Sequence, residues 1–248
     1  MEPVFRTLEI ASATAVRAAG TKITYQGLEN IPSSGGAVLA INHTSYIDFM
    51  PAALGTRRRK RRIRFMIKAE MQDVSIVNFL ISRTGTIPVN RRAGADAYAE
   101  AVRQLKAGEL VGVYPEATIS RALVLKDFKS GAARMALEAQ VPVIPCIVWG
   151  AHRLWTKDHP KQLGRNKIPI TVRYGNPLPP IGTTAELDAA LKQRMSAMLD
   201  EVQRAYPHPA GEWWVPSSLG GGAPTLEEAR KLDEAELAAR ARRARENH

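Results

Sequence analysis

The chain has a single cysteine, Cys146, among its 248 residues. One thiol cannot build an internal disulfide framework, and its scarcity fits a reducing compartment. Cys146 sits inside the apolar run 141–148, which makes it a buried core thiol and not a nucleophile. No uninterrupted apolar stretch approaches the ~20 residues that span a bilayer. The N-terminus lacks the apolar segment and cleavage site of a secretory signal. The expectation is a soluble or peripheral cytoplasmic protein. Zinc-ligand spacing and internal repeats are also missing.

At 45% hydrophobic content the chain can bury a sizeable core in one domain. Short apolar runs at 22–26, 36–41, 63–67, 86–89, 110–114, 141–149 and 168–174 read as strands. They alternate with helical patterns at 70–82, 95–105, 131–139 and 184–206. This is an α/β pattern, a central mixed and largely parallel sheet flanked by helices. Residues 4–19 place Val4, Phe5, Leu8, Ala11, Ala15 and Val16 near helical spacing, an amphipathic helix that either packs on the core or lies in a membrane interface. Three glycines, Gly220 to Gly222, mark a flexible linker, and Thr225 with Glu228 reads as the capping box of a last helix with six acidic and six basic residues over 225–247. The predicted divisions are 1–21, 22–215 and 216–248.

The net charge of +11 is uneven. Arg57, Arg58, Arg59, Lys60, Arg61, Arg62 and Arg64 place seven positive charges in eight positions. Such a run is a solvated loop, a nucleic-acid contact, or a surface for anionic lipid, where each cation adds about 1 kcal/mol. It has no interleaved aromatics, which lowers the nucleic-acid reading.

His43 and Asp48 carry the chemistry. A neutral imidazole takes a proton from a hydroxyl only if the correct ring nitrogen is free, and a carboxylate on the other nitrogen fixes that tautomer. Five positions apart on a continuous helix, the two would lie about 140° apart. They meet only if His43 is in the loop after strand 36–41 and Asp48 is in the first turn of the next helix. No Ser or Cys stands beside them as in a nucleophile elbow, so the pair suggests direct activation of a substrate hydroxyl. A structural histidine near a helix start is the competing reading.

Three further blocks follow. Residues 85–91 put Arg91 just beyond a short strand, and residues 113–118 put Glu116 and Thr118 just beyond another. Residues 141–145 carry Pro142 and Pro145 after a helix preceded by Lys129. In an open α/β sheet, polar groups at strand ends converge on one crevice. Singly, each has a bland reading: a surface cation, a helix N-terminal carboxylate, a strand kink.

In this order and spacing the four blocks resemble the glycerolipid acyltransferase family, over about residues 27–176. His43 and Asp48 match its His-x-x-x-x-Asp motif. Gly85, Ile87 and Arg91 match its second block, Pro115, Glu116, Ala117 and Thr118 its third, and residues 141–145 its last; Lys68 and Glu70 match a Lys-x-Glu step. The resemblance implies acyl transfer from a thioester, on coenzyme A or acyl carrier protein, to a hydroxyl of lysophosphatidate. Glycerol 3-phosphate or another lyso-lipid is the alternative acceptor. His43 would be general base and Asp48 its orienter. Lys68, Arg91, Arg121 and Lys129 would face the acceptor phosphate, with Gly85, Glu116 and Thr118 lining the site. No metal or redox cofactor is required. The basic run Arg57, Arg58, Arg59, Lys60, Arg61 and Arg62 would then sit with the N-terminal helix on the anionic, cytoplasmic face of the membrane. Nucleic acid is not expected as a partner; the rival is a basic binding module with a decayed dyad. The third block departs from the family: Ala117 replaces a glycine and should lose access to positive φ, and Ile119 replaces an arginine, with Arg83 or Arg121 as substitutes.

Overall fold

The computed structural model describes residues 3–68, 84–89 and 94–246. The segment 70–82, Arg83 and Arg91 lie outside these residues. Among the described residues, seven strands form one sheet: β1 (Ile23–Gln26), β2 (Ala37–Ile41), β3 (Ile63–Lys68), β4 (Ile87–Val89), β5 (Leu110–Val113), β6 (Val143–Trp149) and β7 (Ile170–Tyr174). Their order is β1-β7-β6-β2-β5-β3-β4. All neighbours are parallel except β6 and β7, so the expected mixed, largely parallel sheet is observed. Six described helices accompany it: α1 (Pro3–Ala18), α2 (Phe49–Arg58), α3 (Gly94–Lys106), α4 (Gly131–Ala139), α5 (Thr184–Ala205) and α6 (Leu226–Glu246).

The central strands are buried on both faces, which explains their unbroken apolar sequence. Every residue of β2, β5 and β6 is buried. Successive side chains still alternate. Val38, Ala40, Val111 and Ile147 join Ala101, Leu105, Met135, Leu191 and Met195 from α3, α4 and α5 on one face. Leu39, Ile41, Leu110 and Ile144 join Ala52 of α2, Ile170 and Tyr174 on the other. Burying one such aliphatic side chain contributes about 1.5–3 kcal/mol. Cys146 is fully buried in the second cluster, as expected. Helix α5 starts in a capping box in which Thr183 and Glu186 exchange hydrogen bonds, and Thr225 and Glu228 do the same before α6.

The basic run is put to several uses. The Arg61 guanidinium donates to the carbonyls of Pro32, Gly35 and Gly108 at 2.7–2.8 Å, tying together the loops at the start of the sheet. That structural role withdraws Arg61 from the set predicted to face a membrane. Glu9 of α1 pairs with Arg57 and Arg62 at 3.2 and 3.0 Å, and Arg58 lies 4.5 Å over the Tyr25 ring. Arg59 and Lys60, at the end of α2, are exposed.

The 206–215 segment closes over the end of β6. Trp214 is buried, with the Arg153 guanidinium 3.8 Å above its ring, and Trp213 stacks on His159 at 3.8 Å. Trp214 thus belongs to the core cluster, and Trp213 packs against it. Beneath Trp214 lies His152, fully buried, its Nε2 3.0 Å from the Trp214 carbonyl. Burial pushes its pKa down to about 3. The folded form therefore holds His152 neutral, while the unfolded chain binds a proton near pH 6.5. This contribution is complete above pH 6.5 and is lost as the pH falls towards 3. Urea unfolding at pH 7 and pH 4.5 is expected to show about 2–3 kcal/mol of acid destabilisation from this residue. In His152→Gln, which keeps a donor but does not titrate, that portion of the pH dependence should disappear.

Candidate active site

The site begins where β2 ends. The Asn42 side chain donates to the Val148 carbonyl at 3.1 Å and accepts the Val148 amide at 2.6 Å. It continues the β2–β6 ladder while the main chain leaves the sheet. The next residues are pinned to the segment following β6. The Ser45 hydroxyl donates to the carbonyls of Trp155 and Ala151 at 2.6 and 3.1 Å. The Thr156 hydroxyl donates to the Thr44 carbonyl at 2.7 Å.

Asp48 directly precedes α2, and its carboxylate turns back into the loop. Its Oδ2 accepts the amides of Thr44 and Ser45 at 2.8 and 2.7 Å and lies 3.2 Å from His43 Nδ1. The His43–Asp48 contact expected across the loop–helix junction is thus formed. Asp48 is fully buried. Burial raises its pKa, opposed by His43 and the two amides. With two amides already donating to Oδ2, that oxygen is an acceptor, so Nδ1 is the protonated ring nitrogen. This leaves Nε2 as the proton acceptor. The ring stacks on Tyr114 at 4.0 Å and 21°, and the His43 side chain remains 18% exposed.

The end of the neighbouring strand β5 supplies the second half. Glu116 is buried, with Oε1 accepting the His43 amide at 2.8 Å and Oε2 accepting the Lys126 amide at 3.0 Å. Burial pushes its pKa up to about 7 against the pull of these amides. Asp48 orients the His43 ring, and Glu116 holds its backbone. The Ser120 amide adds a bond to the His43 carbonyl at 2.8 Å. Ala117 corrects one expectation: it adopts φ 59° despite its Cβ, with its side chain exposed, at a cost of about 1 kcal/mol. Ile119 is 3% exposed and belongs to the interior.

The structure thus brings His43, Asp48 and Glu116 together. Thr118 Oγ1 accepts Lys126 Nζ at 2.9 Å. Gly85 forms a turn at φ 61°, where an added Cβ would meet the Arg64 side chain at 3.2 Å. Lys129 is exposed, and its amide donates to the Pro115 carbonyl at 2.8 Å. Arg121 is engaged by carboxylates: Asp158, Asp233 and Glu236. Lys68 ends β3. Tyr114, Asn42, Lys126 and Lys157 were not singled out from sequence. Only Tyr114 carried a local signal, as the residue that opens the Pro115–Glu116 step.

The model of the family described as Acyltransferase matches residues 22–149, more than half of the chain. The chain belongs to the Acyltransferase family. A chloroplastic 1-acyl-sn-glycerol-3-phosphate acyltransferase of Arabidopsis thaliana is 32% identical over 138 residues, covering 54% of this chain and 37% of that protein. The 1-acyl-sn-glycerol-3-phosphate acyltransferase of Borreliella burgdorferi is 27% identical over 143 residues, 56% of each chain. The chain spans between about a third and just over half of the length of these relatives. Among solved structures, the 1-acyl-sn-glycerophosphate acyltransferase of Thermotoga maritima superposes with a TM-score of 0.67 at 24% identity, covering 82% of this chain and 81% of that one; the likeness is one of fold. The part of this acyltransferase-family chain that matches the family model holds His43, Asp48, Gly85, Arg91, Glu116 and Thr118 and ends before Lys157 and α6.

Proposed function

We propose that this chain transfers a fatty acyl group from a thioester of coenzyme A or acyl carrier protein to the free hydroxyl of lysophosphatidate, giving phosphatidate. The single observation that carries the reading is the buried Asp48 carboxylate on His43 Nδ1, which leaves Nε2 to accept a proton from a substrate hydroxyl. Acyl-enzyme chemistry is a poor fit to the neighbouring side chains. The Ser45 and Ser120 hydroxyls donate to backbone carbonyls, and Cys146 is buried. The curated relatives, named for 1-acyl-sn-glycerol-3-phosphate as acceptor, support the choice of substrate.

In the proposed step, His43 Nε2 takes the hydroxyl proton as the acceptor oxygen attacks the thioester carbonyl carbon. The tetrahedral oxyanion collapses, the carbon–sulfur bond breaks, and the departing thiolate recovers the proton from the imidazolium. Stacking on Tyr114 holds the ring in plane, and Asp48 stabilises its charged form. The chemistry asks for no metal or redox cofactor. Purified protein assayed with palmitoyl- and oleoyl-coenzyme A against lysophosphatidate and glycerol 3-phosphate is expected to acylate lysophosphatidate. His43→Ala should lower turnover by about 10²–10⁴-fold while the fold persists. Transfer to glycerol 3-phosphate alone would overturn the acceptor, and full activity in His43→Ala would overturn the mechanism.

The proposed site of action is the anionic, cytoplasmic face of a membrane. No described helix is long and apolar enough to cross a bilayer. Helix α1 and the basic end of α2 share one surface through Glu9, and a helix with a cationic patch is a two-signal peripheral attachment. Co-sedimentation with anionic vesicles is expected at low ionic strength, to weaken with salt, and to fall in an Arg59→Glu, Lys60→Glu variant. A protein that stays in the supernatant at low salt contradicts this placement.

A further inference from the structure

A cationic cluster that the four sequence blocks do not supply begins at Lys126, whose amide donates to the same Glu116 carboxylate that holds the His43 amide. Ile119, where the family pattern has an arginine, points into the core. The space next to Thr118 is served instead by Lys126 Nζ, 2.9 Å from Thr118 Oγ1, by Arg121, and by Lys157. Lys157 directly follows Thr156, whose hydroxyl holds the Thr44 carbonyl. The three cations converge on two carboxylates of α6, one turn apart. Asp233 pairs with Arg121 and Lys126. Glu236 pairs with Arg121 at 2.9 Å and Lys157 at 2.8 Å. Asp158 meets Arg121 from another side at 2.5 Å. Three cations and a hydroxyl around one anionic centre suit a phosphomonoester, whose dianion takes several charge-assisted hydrogen bonds at once.

The helix that fills this centre has little else to hold it. Ala229 is the one buried residue of α6 among those whose side chains are described. Leu226, Leu232 and Leu237 are exposed. Docking thus depends on an ion-pair network and little apolar burial; its carboxylates are partly solvated, at 24% exposure, so an anion from solvent can compete for the same cations. The last anchored residue before the helix is the buried Ala223, and the capping box at Thr225 and Glu228 keeps the first turn of α6 satisfied without the rest of the domain.

We propose that Arg121, Lys126, Lys157 and Thr118 form the subsite for the phosphomonoester of the acceptor, and that Asp233 and Glu236 occupy it as an internal competing anion, so that acceptor binding and docking of α6 exclude each other. The proposal rests on the acyltransferase reading for the identity of the ligand. The cluster uses residues beyond the stretch matched by the family model, Lys157 and α6. It thereby gives this chain a route to the acceptor phosphate that does not pass through position 119.

Hydrogen–deuterium exchange of the α6 amides in the full chain tests this without turnover. Lysophosphatidate micelles and soluble glycerol 3-phosphate distinguish the lipid from the free phosphomonoester, and lysophosphatidylcholine micelles are the phosphodiester control. Exchange in α6 is expected to rise with lysophosphatidate and to stay unchanged with the control; a rise with glycerol 3-phosphate alone supports the subsite and moves the acceptor to the soluble ester. In acylation assays, Asp233→Asn with Glu236→Gln should lower the acceptor KM about tenfold at unchanged kcat, as removal of a competing bound state requires. Glu236→Gln alone, which leaves Asp233 on Arg121, should shift KM less in the same direction and guards against misfolding of the double variant. Exchange unchanged or slowed by both phosphomonoesters overturns the proposal, as does a KM equal to or above that of the parent protein. Absence of acyl transfer with α6 still released by a phosphomonoester would instead count against the acyltransferase reading and leave the subsite standing.

Discussion

Asp48 Oδ2 receives three donors at once, the amides of Thr44 and Ser45 and the ring of His43, and the geometry of the site depends on it. A buried carboxylate is tolerable only when its charge is met by hydrogen bonds or a cation. Here two of those donors are backbone groups of the very loop that carries the histidine. The same oxygen therefore shapes the loop and selects the tautomer. Because the amides make Oδ2 an acceptor, Nδ1 carries the proton and Nε2 keeps its lone pair. Glu116 repeats the logic from the adjacent strand, taking the His43 amide on one oxygen and the Lys126 amide on the other. Two carboxylates from the segments that follow the parallel neighbours β2 and β5 thus fix one imidazole, its ring and its backbone separately.

The sheet is what brings them together. Parallel pairing of β2 with both β5 and β6 sends three strand ends to the same edge. Asn42, Ser45 and Thr156 stitch the loop from β2 to the one from β6. Such strand-end convergence is the general place for a site in open α/β sheets. Asp48 Oδ2, the Ser45 hydroxyl and both polar atoms of the Asn42 amide each have a partner in this loop, while Asp48 Oδ1 and the Thr44 hydroxyl have none among the described residues.

Much of this was legible in the sequence, and the residues show why. Strands β2, β5 and β6 are buried on both faces, so each leaves an unbroken apolar run. His43 and Asp48 declare themselves by a short spacing between a strand and a helix, and the capping box at Thr225 and Glu228 is a short local pattern. What could not be read depends on partners far apart in the chain. Asn42 meets Val148 across 106 positions, and Arg121 meets Glu236 across 115. The basic run reads as one solvated patch, but Arg61 spends its charge on three carbonyls, because a guanidinium fork can bridge several loops. Ala117 shows the limit of residue preference. Its backbone takes the left-handed conformation that glycine would favour, since the bonds around Glu116 over-determine the turn.

Everything proposed for the site requires that Asp48 hold His43 with the proton on Nδ1 and Nε2 open to a hydroxyl. Nitrogen-15 NMR of ring-labelled protein, at a pH where the imidazole is neutral, reports this directly. A protonated Nδ1 and an unprotonated Nε2 are expected for His43 in the unliganded protein, with that preference lost in Asp48→Ala. A His43 ring carrying its proton on Nε2 would contradict it.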